Sequence, residues 1–156
     1  MTMEAVTMYS HILLPLDGSP LAEHAIPYAE DLARKTGAKL TIMSCVEPYV
    51  ITVPVVPTPI PAYGIDTDVE TLANDRLEYL ESVREAIHEE GMDVDVALHR
   101  GRPPDEILRT VEEKGADLIV MTTHGRSGIS RFIYGSVAER VLHGAKVPVL
   151  LIRATE

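Results

Sequence analysis

Near its C-terminal end the chain reads Thr122-Thr123-His124-Gly125-Arg126-Ser127-Gly128, continues for six residues, and resumes as Gly135-Ser136-Val137-Ala138-Glu139-Arg140-Val141. The apolar run Leu118-Ile119-Val120-Met121 precedes it and apolar residues at helical spacing follow, so a strand leads through a glycine-rich turn into a helix. Gly125 and Gly128 permit positive φ and carry no Cβ, which lets consecutive main-chain N–H groups converge on an anion. Gly135 and Ser136 open a helix whose first N–H groups have no internal partner and whose dipole favours negative charge. Residues 122 to 146 hold Arg126, Arg131, Arg140 and Lys146 against Glu139 alone, a local charge of +3 in a chain of net −10. Residue types and spacing together point to a phosphate-bearing ligand.

A second chemical group lies near the other end. Ser10 to Leu16 is a mostly apolar run that ends in Asp17-Gly18-Ser19-Pro20, which predicts a buried strand, a turn, and a helix with Ser19 as N-cap and Pro20 in its first turn. The Asp17 carboxylate then sits at the carboxyl end of a strand, where it suits a ribose hydroxyl. Asp is also common in turns at helix starts, and Ser136, like Ser19, has the composition of a cap. Met121 is a core residue by its surroundings as well as a candidate contact. Cys45 reads as a small buried hydrophobe. For His124 a loop-stabilising hydrogen bond and a phosphate contact are both open.

The elements that must position these groups follow from periodicity. Ala22, Ala25, Ile26, Ala29, Leu32 and Ala33 recur at helical spacing up to Gly37, with a kink expected at Pro27. Lys39 to Val46 predicts a strand covered on both faces. Residues 47–67 form a long proline-rich loop, with Pro48, Pro54, Pro57, Pro59 and Pro61; it suits either a mobile connection or a lid or docking segment. Val69, Leu72, Ala73, Leu77, Leu80, Val83 and Ile87 mark an amphipathic helix stopping at Gly91. Asp93 to His99 alternates like a half-buried strand near an edge. Pro103-Pro104-Asp105 starts a helix with Ile107, Leu108 and Val111 inward, closed by Gly115. Asp117 to Met121, Val137 to His143 and Val147 to Ile152 complete the series as strand, helix and strand.

This alternation calls for an α/β fold, a doubly wound parallel sheet of five strands. In such sheets ligands bind beyond the carboxyl ends of the strands, where strand order reverses. If the first and fourth strands are neighbours there, Asp17 and the glycine loop face one crevice.

Composition sets outer bounds. The 156 residues suit one domain spanning 1–156, and 46% hydrophobic against 24% charged residues match an ordinary globular protein. One cysteine excludes an intrachain disulfide and, with no long apolar run and no basic flank before a hydrophobic stretch at Met1 to Tyr9, leads to an expected cytoplasmic location. Eleven acids lie between Asp66 and Asp95 against Arg76 and Arg84, read as a solvated helix face, and the net charge argues against nucleic acid or anionic membrane as partner. His11, His24, His88, His99 and His143 show no metal-ligand spacing, and neither GxxxxGK[ST] nor GxGxxG is present. No residue is placed by sequence to activate a nucleophile, so no catalytic residue is assigned and any hydrolysis of a bound phosphate ligand is expected to be slow, incidental or partner-dependent.

At this level of detail the sequence resembles the universal stress protein family, specifically its ATP-binding branch. The resemblance rests on Asp17-Gly18-Ser19, on Cys45-Val46-Glu47, on Gly125 followed after nine residues by Gly135-Ser136, and on Val147-Pro148-Val149-Leu150. The family pattern is Gly, two residues, Gly, nine residues, then Gly-Ser or Gly-Thr. Thr122 stands where the first glycine is usual and offers a hydroxyl in place of close main-chain approach. The resemblance implies a Rossmann-like sheet of the adenine nucleotide alpha-hydrolase kind with order 3-2-1-4-5, and ATP, with Mg²⁺, as ligand. It implies that Pro15 and Asp17 flank the adenosine, that the backbone at Cys45 and Val46 meets the adenine edge, and that Met121 and Thr122 line the ribose side. Gly125, Arg126, Ser127, Gly135, Ser136 and Val137 would cradle phosphates. It also implies a homodimer paired through Val147 to Ile152 and a regulatory stress-response role. Two alternatives stay open beside this: an adenylate-handling or ATP-hydrolysing enzyme, and an interaction protein without nucleotide.

Overall fold

The computed structural model describes residues 8–48, 65–87, 91–123 and 135–154. Five parallel strands, β1 (His11–Pro15), β2 (Lys39–Val46), β3 (Val94–Arg100), β4 (Leu118–Thr122) and β5 (Val149–Ile152), lie in the order β3-β2-β1-β4-β5. The expected α/β architecture and strand order are those observed. Strand order reverses between β1 and β4, which are hydrogen-bonded neighbours with Ile12 opposite Leu118 and Leu13 opposite Ile119.

Alternation along the strands divides the core into two layers. Ile12, Leu14, Leu40, Ile42, Leu118 and Val120 face α1 (Pro20–Glu23), α2 (Ile26–Thr36) and α3 (Ile65–Ile87). Leu13, Met43, Ala97, Ile119 and Met121 face α4 (Pro103–Lys114) and α5 (Ser136–Gly144). The helix predicted from Pro20 to Gly37 is interrupted at His24 and Ala25, and Pro27 falls in the first turn of α2, where its missing N–H is harmless. Gly37 and Gly115 close their helices at φ 69° and 67°, the left-handed conformation glycine adopts without a Cβ penalty.

Three local expectations need correction. α3 begins at Ile65, inside the stretch expected as loop, while residues 49–64 of that stretch lie outside the described residues. Leu77, expected inward, is 40% exposed, and the inward position beside it belongs to Arg76. β5 starts at Val149 instead of Val147. β3, half-buried along most of its length, is an edge strand as expected.

Candidate functional site

The turn after β1 is built by side chains that stop it drifting. Gly18 takes φ 80°, bringing Ser19 back under Asp17. Asp17 Oδ1 accepts hydrogen bonds from Ser19 N at 2.9 Å and Ser19 Oγ at 2.5 Å, while Ser19 Oγ accepts from Ala22 N at 3.2 Å as the N-cap of α1. On the β2 side, Leu16 N donates to Met43 O at 2.8 Å, which carries the strand pairing one residue beyond Pro15.

Across the strand reversal, β4 ends and α5 begins at one point. Thr123 N donates to Ile152 O at 3.0 Å, and Thr123 O accepts from Gly135 N at 2.5 Å. Gly135 is the N-cap of α5, with φ −60° and ψ 157°, and Ser136 is the first helical residue, so Ser136 is not the cap that its type suggests. The first intrahelical hydrogen bond runs from Glu139 N to Gly135 O at 2.9 Å. The N–H groups of Ser136, Val137 and Ala138 therefore have no acceptor within the helix, and Gly135 contributes no side chain to cap them. Ser136 is exposed and Val137 half-buried.

The remaining predicted residues are placed as follows. Pro15 is half-buried at the end of β1. Cys45 and Val46 end β2, opposite His99 and Arg100, and Val46 O accepts from Gly101 N at 3.0 Å. Burial, and then the nearby carboxylates of Glu106 and Glu47, push the Cys45 thiol up to about 12, although the residue is half-buried and not the fully buried hydrophobe expected. Met121 packs in the α4–α5 layer, and Thr122 is buried opposite Ile152. Pro15, Asp17, Cys45, Val46, Met121, Thr122, Gly135, Ser136 and Val137 thus all lie at or next to the carboxyl ends of β1, β2 and β4. Gly125, Arg126, Ser127 and His124 lie outside the described residues.

Arg76, which carries no motif, meets the Asp17 turn from α3. It sits among acids on α3, yet it is 8% exposed and its Nη1 donates to the Asp17 carbonyl oxygen and, at 3.2 Å, to Ser44 Oγ. Three residues on, Tyr79 donates its hydroxyl to Glu23 Oε1 at 3.0 Å. Burial, followed by that hydrogen bond, holds the Tyr79 phenol above its ordinary range. A signal was present: Ala73, Arg76, Leu80, Val83 and Ile87 are spaced three and four apart, so Arg76 occupies the buried stripe and Leu77 does not. Among the described residues no group of three His, Cys, Asp or Glu could hold a metal ion. None of the helices there is long and apolar enough to cross a membrane.

Known proteins resemble this chain along nearly its whole length. A family model described as the universal stress protein family matches residues 8–153. The chain is 35% identical over 149 residues to the universal stress protein MJ0531 of Methanocaldococcus jannaschii, covering 94% of this chain and 83% of that protein. It is 30% identical over 148 residues to the universal stress protein YxiE of Bacillus subtilis, covering 94% of this chain and 100% of that one. Among solved structures, universal stress protein UspA from Lactobacillus plantarum matches with a TM-score of 0.76 at 22% identity, over 93% of this chain and 98% of that chain. A universal stress protein in complex with cAMP matches with a TM-score of 0.67 at 22% identity, over 94% and 98% of the two chains. One from Archaeoglobus fulgidus in complex with dAMP matches with a TM-score of 0.60 at 23% identity, over 93% and 98%. The matched span includes β1 with its Asp17 turn, the junction of β4 with α5, and β5, and the chain belongs to the universal stress protein family.

Proposed function

We propose that the protein is an ATP-binding, nucleotide-dependent regulatory protein of the stress response. The observation that carries this reading is the adjacency of two unlike ends at the strand reversal. β1 delivers the Asp17 carboxylate, and β4, tied through Thr123 to Gly135, delivers the start of α5, whose N-cap has no side chain to cover it. A carboxylate suits ribose hydroxyls, and helix-start amides suit phosphate. Two relatives of the same fold, solved with cAMP and with dAMP, support an adenine nucleotide as the class of ligand.

In this reading Asp17 accepts the ribose hydroxyls and Pro15 borders the adenosine. The main chain at Cys45 and Val46 meets the adenine edge, and Met121 and Thr122 close the ribose side. Gly135, Ser136 and Val137, with Gly125, Arg126 and Ser127, hold the phosphates. Mg²⁺ would enter with the nucleotide, neutralising charge between phosphate oxygens. The protein's work is binding and orientation, with no residue in the role of nucleophile or base. A homodimer joined through the last strand, within Val147 to Ile152, would cover an edge on which Leu150 is 36% exposed. The cytoplasm is its proposed location.

The test is the nucleotide released when freshly purified protein is denatured, identified by chromatography. About one adenine nucleotide per chain is expected. Absence of nucleotide, even after incubation with Mg-ATP, would contradict the reading and favour a role through protein contacts alone.

A further inference from the structure

Arg76 is a buried cation whose visible acceptors belong to two different strand ends. Ser44, 2% exposed, immediately precedes Cys45 and Val46 on β2, and the Asp17 carbonyl belongs to the turn after β1. Taking a guanidinium out of water is costly unless its donors are used. Both bonds leave from one nitrogen, Nη1, whose two N–H groups the planar guanidinium holds in fixed directions, whereas a lysine ammonium on a flexible stem is less pre-organised. Through the same face of α3, Tyr79 holds Glu23 on α1, so the helix is fastened to the Asp17 turn and to the helix that follows it.

We propose that Arg76 is a positioning residue for the ribose end of the nucleotide. By tying the Asp17 main chain to Ser44, it fixes the turn in the orientation that presents the Asp17 carboxylate to the ribose hydroxyls. This rests on the nucleotide-binding reading above. Arg76 acts through Asp17, while the phosphate end, at Gly135 and Ser136 on the far side of β1, is independent of it. Its loss therefore removes selectivity for ribose hydroxyls and leaves phosphate binding intact.

The experiment compares Mg-ATP, Mg-2′,3′-dideoxyATP and Mg-tripolyphosphate by calorimetry on wild type, Arg76→Met, Arg76→Lys and Asp17→Asn, with circular dichroism as a check on fold. Hydrogen bonds to a charged acceptor predict that wild type prefers ATP over the dideoxy analogue by about tenfold or more. Arg76→Met should bring that ratio close to one without changing tripolyphosphate affinity, and Arg76→Lys should be intermediate. Adding Arg76→Met to Asp17→Asn should cost no further selectivity. A ratio that stays at the wild-type value in Arg76→Met overturns the proposal, and so does an equal loss for all three ligands, the mark of a residue that serves stability alone. Should Arg76→Met fail to fold, Ser44→Ala removes one acceptor while leaving the guanidinium. A ratio reduced in that variant supports the proposal, and an unchanged one overturns it. Wild type that binds ATP no better than tripolyphosphate overturns the nucleoside reading itself, and the proposal with it.

Discussion

The carbonyl oxygen of Thr123 accepts a hydrogen bond from the main-chain nitrogen of Gly135 at 2.5 Å, so the end of β4 and the first turn of α5 are held at one place. Because Thr123 is itself bonded to Ile152, the start of α5 is registered against β5 as well as β4. The amides that open α5 are thereby fixed at the exit of β4, the strand that neighbours β1.

This junction predicts the behaviour of Gly135→Val. The φ of −60° and ψ of 157° at Gly135 lie in a region open to any L-residue, so the fold should persist with a stability change of about 1 kcal/mol from altered capping. The branched side chain would stand over the helix start, where phosphate is proposed to lie. Calorimetry should register a loss of ATP affinity of about a hundredfold or more, the scale of a few charge-assisted hydrogen bonds. Full retained affinity with a native circular dichroism spectrum would place the phosphates elsewhere.

At the end of β3 the chain makes a different use of glycine. Gly101 has φ 150°, and a Cβ there would lie 2.6 Å from Glu106 Oε1 and 3.0 Å from Glu106 Cδ. Glu106 is held in turn by Arg109 Nη2 at 2.5 Å, so it has little room to withdraw. Gly101→Ala is expected to destabilise the protein by about 1–3 kcal/mol in urea denaturation. An unchanged midpoint would mean that the turn relaxes without cost.

At the amino edge of the sheet, His11 makes stability depend on pH. Burial lowers its pKa below the ordinary 6.5, assisted by Lys39 and Lys114, while the Lys114 carbonyl and Asp117 act in the opposite sense. Its Nε2 lies 2.7 Å from Thr41 Oγ1 and its Nδ1 3.1 Å from Lys114 O. The unfolded chain then binds the proton more readily than the fold does. The contribution is complete above pH about 6.5 and declines as pH falls from there through the lowered folded value. Denaturant unfolding at pH 8 and pH 5 should show a smaller drop for His11→Gln than for wild type. Equal drops would remove His11 from the acid response.

Cys45 should be chemically quiet while the chain is folded. With its pKa pushed up to about 12, the thiolate is scarce at pH 8, and the disulfide reagent DTNB should react about a hundredfold or more slowly than with the denatured chain. Comparable rates in both states would show that the thiol is accessible and ionised.

The strands and caps were legible because local pattern and tertiary environment agree. The apolar run from Lys39 to Val46 matches β2 end for end, and Gly37 and Gly115 close their helices where periodicity stops. The place of Asp17 at the carboxyl edge of the sheet was legible because a polar group after a buried strand has a fixed address in a doubly wound sheet. The role of Arg76 was not, because its acceptors are supplied by the turn after β1 and by β2, 59 and 32 residues away, and no local pattern announces a distant carbonyl. Its place in the three-four stripe of α3 shows which way it faces but not what it meets. At the start of α5, where Gly135 and Ser136 were expected to open the helix, Gly135 is the cap and Ser136 the first helical residue.

The central claim is that one crevice, between the β1 exit and the start of α5, takes both ends of an adenine nucleotide. A ¹H–¹⁵N correlation spectrum recorded during titration with Mg-ATP reads it most directly. The account predicts the largest shifts at the amides of Gly135, Ser136 and Val137 together with Asp17, Gly18 and Ser19, saturating as one event. Saturating shifts centred instead on the amino edge around Ser10 and Asp117, or on the groove between α2 and α3 lined by Ile26 and Val83, would contradict it.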